Sequence, residues 1–250
     1  MNATQPPAGR QPAVGNLAHE AKAKASEAKD KIEREFEELK PILRGWIHLG
    51  MAPLALVAGI VLVVLAPTPM GKLVTAIYAV TGLLLFSVSA IYHRGTWSPK
   101  VKKLLKRLDH TNIMLVIAGS YTPLTWALLE PPKSTWLLAS IWTGALLGVA
   151  FRVFWTDAPR WLYVPIYIVL GLAALLFIGD FFAANVPAAI LLCVGGALYI
   201  IGAVIYALKR PNPSPRWFGF HEIFHVFTVG GFVCHFIAIM FAILGQNIHS

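Results

Sequence analysis

The stretch FHEIFHVFTVGGFVCHFIAIMFAIL, residues 220–244, combines a long apolar run with three histidines, His221, His225 and His235. Its length exceeds the roughly 20 residues that an α-helix needs to cross a bilayer. A histidine inside a membrane helix is costly and usually functional. Because residues four apart lie on one face of a helix, His221 and His225 can bind one metal ion together. The stretch therefore predicts a membrane helix that begins with part of a metal site.

The rest of the chain has the composition of a polytopic membrane protein. Of its 250 residues, 57% are hydrophobic and 13% are charged. These values exclude an ordinary soluble domain. Seven apolar segments have about the length that a membrane-spanning helix requires. The sequence therefore predicts an all-α membrane protein, a bundle of seven transmembrane helices near residues 46–66, 73–93, 111–129, 135–155, 161–182, 186–208 and 220–244.

The basic residues predict the orientation of this bundle. Of the 21 Lys and Arg residues, all but Lys72 and Lys133 fall before the first span, after the second, around the loop between the fourth and fifth, or after the sixth. Positive charge marks cytoplasmic loops, so the N-terminus is predicted to be cytoplasmic and the C-terminus outside, in the inner (plasma) membrane. The net charge of +9 indicates anionic lipid headgroups as partners, and not nucleic acid.

The N-terminal 44 residues differ from the predicted membrane domain at 45–246. Residues 1–15 are rich in Pro, Gly and Ala and are predicted to be disordered. Residues 16–44 repeat apolar side chains at helical spacing, with opposite charges four apart, and predict an amphipathic cytoplasmic helix. This helix would lie on the membrane or on the inner mouth of the bundle, and a docking site for a partner is the alternative. Cys193 and Cys234 both fall in apolar spans and indicate neither a disulfide framework nor a thiolate zinc cluster.

The histidine pair also fits a protease motif. Residues 221–225, HEIFH, match HExxH, in which Glu222 would activate a metal-bound water. A metzincin would need glycine at position 228 and histidine at position 231, where this chain has Thr228 and Gly231. No acidic residue follows Glu222. The third metal ligand must therefore come from upstream, and the role of Glu222 stays open.

The predicted orientation of the bundle indicates which upstream residue is the third metal ligand. His93 ends the second span and His221 and His225 begin the seventh, both at the cytoplasmic face, so the three imidazoles fall at one depth. Asp109 opens the third span at the same depth. Ser89 lies one turn before His93 on the same helix face. These five residues are the predicted site.

The remaining histidines are interpreted differently. His110 adjoins Asp109 but would point about 100° away around a helix, which favours an interfacial or loop position over metal ligation. His235 lies about 15 Å beyond His225 along a helix, too far to share its metal. A buried hydrogen bond or a position along a pathway is expected for His235. His48 has no assigned role.

Four motifs in this order along the chain resemble the haemolysin III family, the bacterial branch of the progestin and adipoQ receptor family. They are FSVSAIYH at 86–93, LDH at 108–110, AGSYTP at 118–123, and HEIFHVF at 221–227 with His235. The resemblance implies a seven-helix bundle in which His93, His221 and His225 bind Zn²⁺ near the cytoplasmic side. It further implies that Asp109 binds the water on that zinc, with Ser89 nearby. The wider superfamily includes alkaline ceramidases and implies amide hydrolysis by the same set of residues.

Three functions are compatible with these residues. The first is a zinc-dependent hydrolase of a lipid-like amide or ester, in which zinc activates water, Asp109 accepts a proton and Ser89 positions a carbonyl. The lipid substrate would reach the site sideways from the inner leaflet. The second is a non-catalytic membrane sensor or regulator whose zinc is structural. The third is a pore-forming or cytolytic protein, which is disfavoured because no span carries the polar stripe of a channel lining.

Overall fold

The computed structural model of this chain describes residue 24, residues 41–214 and residues 216–245. The chain divides into two units, Met1–Pro41 and Ile42–Ser250, and the second holds nearly all of the described residues. The segment predicted to be disordered, 1–15, lies outside the described residues. So does nearly all of the predicted amphipathic helix up to residue 40. Residues 42–45 form a turn that leads into the first helix of the second unit.

Helices make up the described part of the second unit. Apart from an isolated β-bridge between Ser214 and Phe218, the regular structure of the described residues is helical, which confirms the predicted all-α class there. The helices are α1 (Trp46–Leu65), α2 (Pro69–Arg94), α3 (Pro99–Leu128), α4 (Lys133–Phe154), α5 (Arg160–Gly171), α6 (Ile178–Ala184), α7 (Val186–Leu208) and α8 (Phe220–Gly245), with a 3-10 segment, Leu172–Phe177, between α5 and α6.

The helix starts follow from local sequence. Thr68 precedes α2, and its hydroxyl accepts a hydrogen bond from the amide of Gly71 at 2.9 Å. Asn185 precedes α7 and accepts in the same way from Ala188 at 3.0 Å. Such side chains satisfy amide groups that have no partner inside the helix, and a proline in the first turn needs none. The start of α2, which carries one predicted ligand, is therefore set by a neighbouring residue.

Six helical stretches are long and apolar enough to cross a membrane, so the chain is a multi-pass membrane protein. They are α1, α2, α4, the stretch Arg160–Ala184 that joins α5 to α6, α7 and α8. Helix α3 is not among them, although its 30 residues would measure about 45 Å. The sequence predicted a span at 111–129 within α3, and the helix is present there, but the six stretches do not establish a seventh crossing.

Helix α3 is less apolar than the other six stretches because one of its faces is polar. Its buried residues include Thr111, Asn112, Ser120, Thr122 and Thr125. The Asn112 amide donates to the carbonyl of Leu84 at 3.1 Å, and the Thr122 hydroxyl donates to the carbonyl of Ala118 at 2.8 Å. Helix α3 packs against α2, α4 and α8, and the side chains of these residues other than Thr125 donate hydrogen bonds inside the protein. A helix surrounded by other helices tolerates this polarity better than one that faces lipid.

Candidate metal centre

Three histidines meet at one end of the bundle. His93 lies in the last turn of α2, and His221 and His225 lie in the first two turns of α8. One ring nitrogen of each histidine lies within 4.8 Å of the corresponding nitrogens of the other two, and Nε2 of His93 is 3.2 Å from Nε2 of His221. Two nitrogens bound to one tetrahedral zinc ion would be about 3.3 Å apart. The cluster could therefore hold a metal ion.

The chemistry of the donor set fits such an ion. Imidazole nitrogens are common ligands of zinc and other transition metals. Nδ1 of His225 is buried and has no hydrogen-bond partner among the described residues. A buried polar atom without a partner is costly. A metal ion bound to this nitrogen would remove the cost.

Asp109 and Ser89 lie beside the cluster. The carboxylate of Asp109 on α3 is buried, and its Oδ2 lies 3.8 Å from Nε2 of His93. Ser89, one turn before His93 on α2, is also buried, and its hydroxyl interacts with the Asp109 carboxylate. The structure thus brings together the five predicted site residues from three helices.

Glu222, the acidic residue of the HExxH match, is occupied elsewhere. It is fully buried, and its Oε1 accepts a hydrogen bond from Nε of Arg44 at 2.9 Å. Its Oε2 accepts from the backbone amide of Gly219 at 2.8 Å, as the glutamate of a helix capping box does. With both oxygens engaged, Glu222 is not placed to act as the base of a metalloprotease.

His48 on α1 lies against the cluster, although the sequence assigned it no role. Its ring is stacked on that of His225, with centroids 3.7 Å apart and planes 13° apart. Two parallel rings direct their nitrogens along parallel planes, so both cannot reach one ion at about 2 Å. His48 therefore contacts a candidate ligand without being one. Its sequence neighbours could not reveal this contact, because it depends on how α1 packs against α8.

His110 is held by a buried arginine that the sequence did not single out. The guanidinium of Arg152 on α4 bonds to Nδ1 of His110 and donates to the carbonyl of Thr156 at 2.9 Å. It also lies 4.3 Å from the ring centroid of Tyr163. Arginine has only donors, so Nδ1 of His110 accepts and the ring proton is on Nε2. His110 is thus a buried residue of α3 and not part of a loop, and, as expected, the structure does not bring it into the metal cluster.

His235 lies deeper in α8 and makes the buried hydrogen bond expected of it. Its Nε2 is 3.3 Å from the carbonyl oxygen of Leu192 on α7, and its ring meets the edge of Tyr199 with centroids 5.3 Å apart. The residue is buried between two helices. It is separate from the three-histidine cluster, as its position in the sequence predicts.

A cavity of about 270 Å³ extends from the cluster into the bundle. At one end its walls include Ser89, Asp109, His221 and His225. Further in, apolar side chains of α3, α5, α7 and the 3-10 segment form most of the wall. Leu175, in the 3-10 segment, lines the cavity, and 55% of its surface is exposed. The cavity wall therefore includes an exposed apolar residue at the 3-10 segment.

Two ion pairs mark the two ends of the bundle. Lys106, near the start of α3, donates to Asp157 in the loop after α4 at 2.9 Å, and this bond lowers the pKa of Asp157. Lys133, at the start of α4, donates to Asp180 on α6 at 2.6 Å. The first pair shares the end of the bundle that carries the histidine cluster, and the second lies at the other end. The basic residues of the described loops thus concentrate on the side of the cluster.

Comparison with known proteins gives a consistent result. The sequence model of the family described as haemolysin-III related matches residues 36–236. The chain is 28% identical to hemolysin-3 of Bacillus cereus over 220 residues, which cover 86% of this chain and 97% of that protein. It is 33% identical to the hemolysin-3 homolog of Bacillus subtilis (strain 168) over 169 residues, 66% of this chain and 75% of that protein. It is also 26% identical over 188 residues to the adiponectin receptor protein of Drosophila melanogaster, 66% of this chain and 41% of that protein.

Proposed function

The chain belongs to the haemolysin III family, and we propose that it is a zinc-dependent membrane hydrolase that cleaves a lipid-like amide or ester near the cytoplasmic leaflet. One observation carries the proposal. Ser89, Asp109, His221 and His225 line the same end of a cavity whose other walls are mostly apolar. A site that combines convergent polar groups with an apolar extension suits a substrate with a polar reacting group and a hydrocarbon chain.

The metal would be held by His93, His221 and His225. Their spacing fits a zinc site with three protein ligands, the ligand number that leaves a position open for chemistry. When bound, zinc would act as a Lewis acid and lower the pKa of a water molecule to about 7. The protein must supply the remaining steps of hydrolysis.

Asp109 is the residue that would move the proton. Its Oδ2 lies at 3.8 Å from Nε2 of His93, close enough to accept a proton from the attacking water and pass it to the leaving group. Ser89 would donate its hydroxyl proton to the Asp109 carboxylate or to the substrate carbonyl, which holds the reacting groups in place. The apolar walls of the cavity would exclude other water and bind the hydrocarbon chain.

The position of the cavity favours entry from the membrane. Leu175 of the 3-10 segment and Cys193 of α7 line the cavity, and both are exposed. A lipid could therefore reach the site between the 3-10 segment and α7 without leaving the bilayer. This route would allow water-insoluble substrates and exclude most soluble ones.

We further propose that α3 is the seventh membrane-spanning helix, with the N-terminus in the cytoplasm and the C-terminus outside, in the inner membrane. The concentration of basic residues at the end of the bundle that carries the cluster supports this orientation. It would place the histidines near the cytoplasmic leaflet. The polar residues of α3 fit a span that is buried between other helices.

A second function, a sensor with a structural metal ion, is favoured by the closeness of Asp109 to His93. A small shift would allow the carboxylate to fill the fourth metal position and block catalysis. A cytolytic function, which the name of hemolysin-3 states for that relative, is less consistent with a cavity whose walls are mostly apolar.

Hydrolysis of ceramide-like amides and phospholipid esters by detergent-solubilised protein tests the proposal. We expect turnover that a chelator abolishes and zinc restores. Asp109→Asn should keep its zinc and lose turnover, because it loses the proton acceptor and no direct ligand. Turnover that survives both the chelator and Asp109→Asn would reject the mechanism. A zinc-loaded protein that cleaves none of these lipids would favour the sensor.

A further inference from the structure

Residues 42–48, which we name the lead segment, run from the turn before α1 into its first turn. They contact both helices that carry the histidine cluster. The amide of Ile42 donates to the carbonyl of Arg216, just before α8, at 3.0 Å. The guanidinium of Arg94, the last residue of α2, lies 3.9 Å from the ring centroid of Trp46. The lead segment therefore joins the end of α2 to the start of α8.

We propose that the lead segment positions the three candidate metal ligands, and that Arg44, Gly45 and His48 are its positioning residues. None of the three would bind the metal, yet metal affinity would depend on each of them. This inference rests on the metal site of the proposed function. It adds α1 to the helices that control this site.

Gly45 fixes the position of the His93 side chain by close packing. Its φ of +82° is in the left-handed region, which favours glycine. A Cβ atom at this position would lie 2.9 Å from Cβ of His93 and 3.1 Å from Cγ of Arg94. The backbone of Gly45 thus packs directly on the base of the His93 side chain. A larger residue here would push the end of α2 away and move the ligand with it.

Arg44 controls the first turn of α8. Its ion pair with Glu222 acts on a residue that lies between His221 and His225 in the sequence. Because the other oxygen of Glu222 binds the amide of Gly219, the carboxylate is held from two sides. The bond to Gly219 fixes the carboxylate relative to its own helix, so rotation of this turn about the helix axis would break the bond to Arg44. The pair therefore fixes the direction in which the two histidines point.

His48 limits the movement of the His225 ring. The two rings are stacked, and on its other side His48 meets the edge of Phe86 at a centroid distance of 5.1 Å. Neither ring nitrogen of His48 has a hydrogen-bond partner among the described residues. The contact with His225 is thus made by the ring face. Any planar aromatic ring at position 48 should make the same stacking contact with the ring of His225.

Residues that orient metal ligands typically contribute 10- to 100-fold to metal affinity. We therefore expect Gly45→Ala, Arg44→Met and His48→Ala each to weaken zinc binding about 10- to 100-fold, measured by competition with a chromogenic chelator. The visible spectrum of the Co²⁺-loaded protein should also change, since it reports the geometry of the ligands. Arg44→Lys and His48→Phe keep the charge and the ring, and should restore most of the affinity.

Two glycines of α1 provide matched controls. A Cβ at Gly50 would meet nothing within 4 Å, and a Cβ at Gly59 would lie 2.7 Å from Cβ of Ala79, away from the cluster. Gly50→Ala should behave as the parent protein. Gly59→Ala should lower the melting temperature of the metal-free protein and leave zinc affinity and the Co²⁺ spectrum unchanged.

Three results would overturn the inference. The first is parent-like zinc affinity and an unchanged Co²⁺ spectrum in Gly45→Ala and His48→Ala. The second is an equal loss of affinity in Gly59→Ala, which would show that general destabilisation is the cause. The third is failure of both Arg44→Lys and His48→Phe to restore binding. A parent protein that binds no zinc would instead reject the proposed function, and this inference with it.

Discussion

Replacing His225 with alanine should remove both the metal and the stability that the metal supplies. The ligands come from α2 and α8, which lie together only in the folded protein. A metal that binds the folded state alone stabilises it by mass action. His225 is 2% exposed and is one of only three candidate protein ligands in the described cluster, so its loss leaves two.

The size of the effect follows from this linkage. At a free zinc concentration 100 times the dissociation constant, the stabilisation is about 2.7 kcal/mol. In a domain of this size, 1 kcal/mol changes the melting temperature by about 2–4 °C. Chelation should therefore lower the melting temperature of the parent protein by roughly 5–11 °C.

The measurement combines metal analysis with thermal unfolding in one detergent, with and without chelator. The parent protein should contain close to one zinc per chain, because one cluster is present in the described residues. His93→Ala, His221→Ala and His225→Ala should lack the zinc and unfold at a temperature that the chelator does not change. His235→Ala is the control, because this residue lies about 15 Å further along α8 and should keep both properties.

Two results would refute this reasoning. If His225→Ala keeps its zinc and its response to the chelator, the metal is bound elsewhere. If the parent protein contains zinc but the chelator removes it without a change in melting temperature, the metal does not link the two helices.

Three further outcomes are expected. Glu222→Gln should lower the free energy of unfolding by about 1–3 kcal/mol, because it weakens a buried charged hydrogen bond, and should weaken zinc binding through the same contact with Arg44. At saturating zinc it should keep lipid turnover, and loss of turnover in the zinc-loaded variant would restore the role of Glu222 as a base. Reporter fusions after Arg107 and after Ser250 should report opposite sides of the membrane, and equal locations would show that a span is miscounted. Leu175→Trp should narrow the side entrance and raise the KM for a lipid without loss of zinc. Leu176→Trp is the control, because this residue is 80% exposed and lies outside the cavity lining, and it should leave the KM unchanged. Equal effects of the two substitutions on the KM would contradict lateral entry.

Several features of the fold could be predicted because they depend on local sequence. Apolar runs of membrane-spanning length predicted helices that the structure has at six stretches. The one difficult segment is within α3, whose buried Asn112 and Thr122 are polar for reasons of helix packing. Hydropathy measures the transfer of a single helix into lipid. It therefore underestimates a helix that is mostly surrounded by protein.

The candidate metal site, too, could be predicted from local sequence only in part. The spacing of His221 and His225 predicted a shared helix face, and charge orientation brought His93 to their depth. The HExxH match could not tell whether Glu222 faces the metal. Its partner, Arg44, is 178 positions away in the chain, and no local pattern reports such a contact.

The sequence by itself determined the helical membrane class, the family and the five residues that meet at one end of the bundle, because hydropathy, helical spacing and motif order are properties of neighbouring residues. Only the tertiary structure decided that Glu222 is bound by Arg44, that His48 covers His225, and that Arg152 orients His110. Each of these contacts joins residues at least 42 positions apart in the chain. Their formation depends on how whole helices pack, which no single segment encodes.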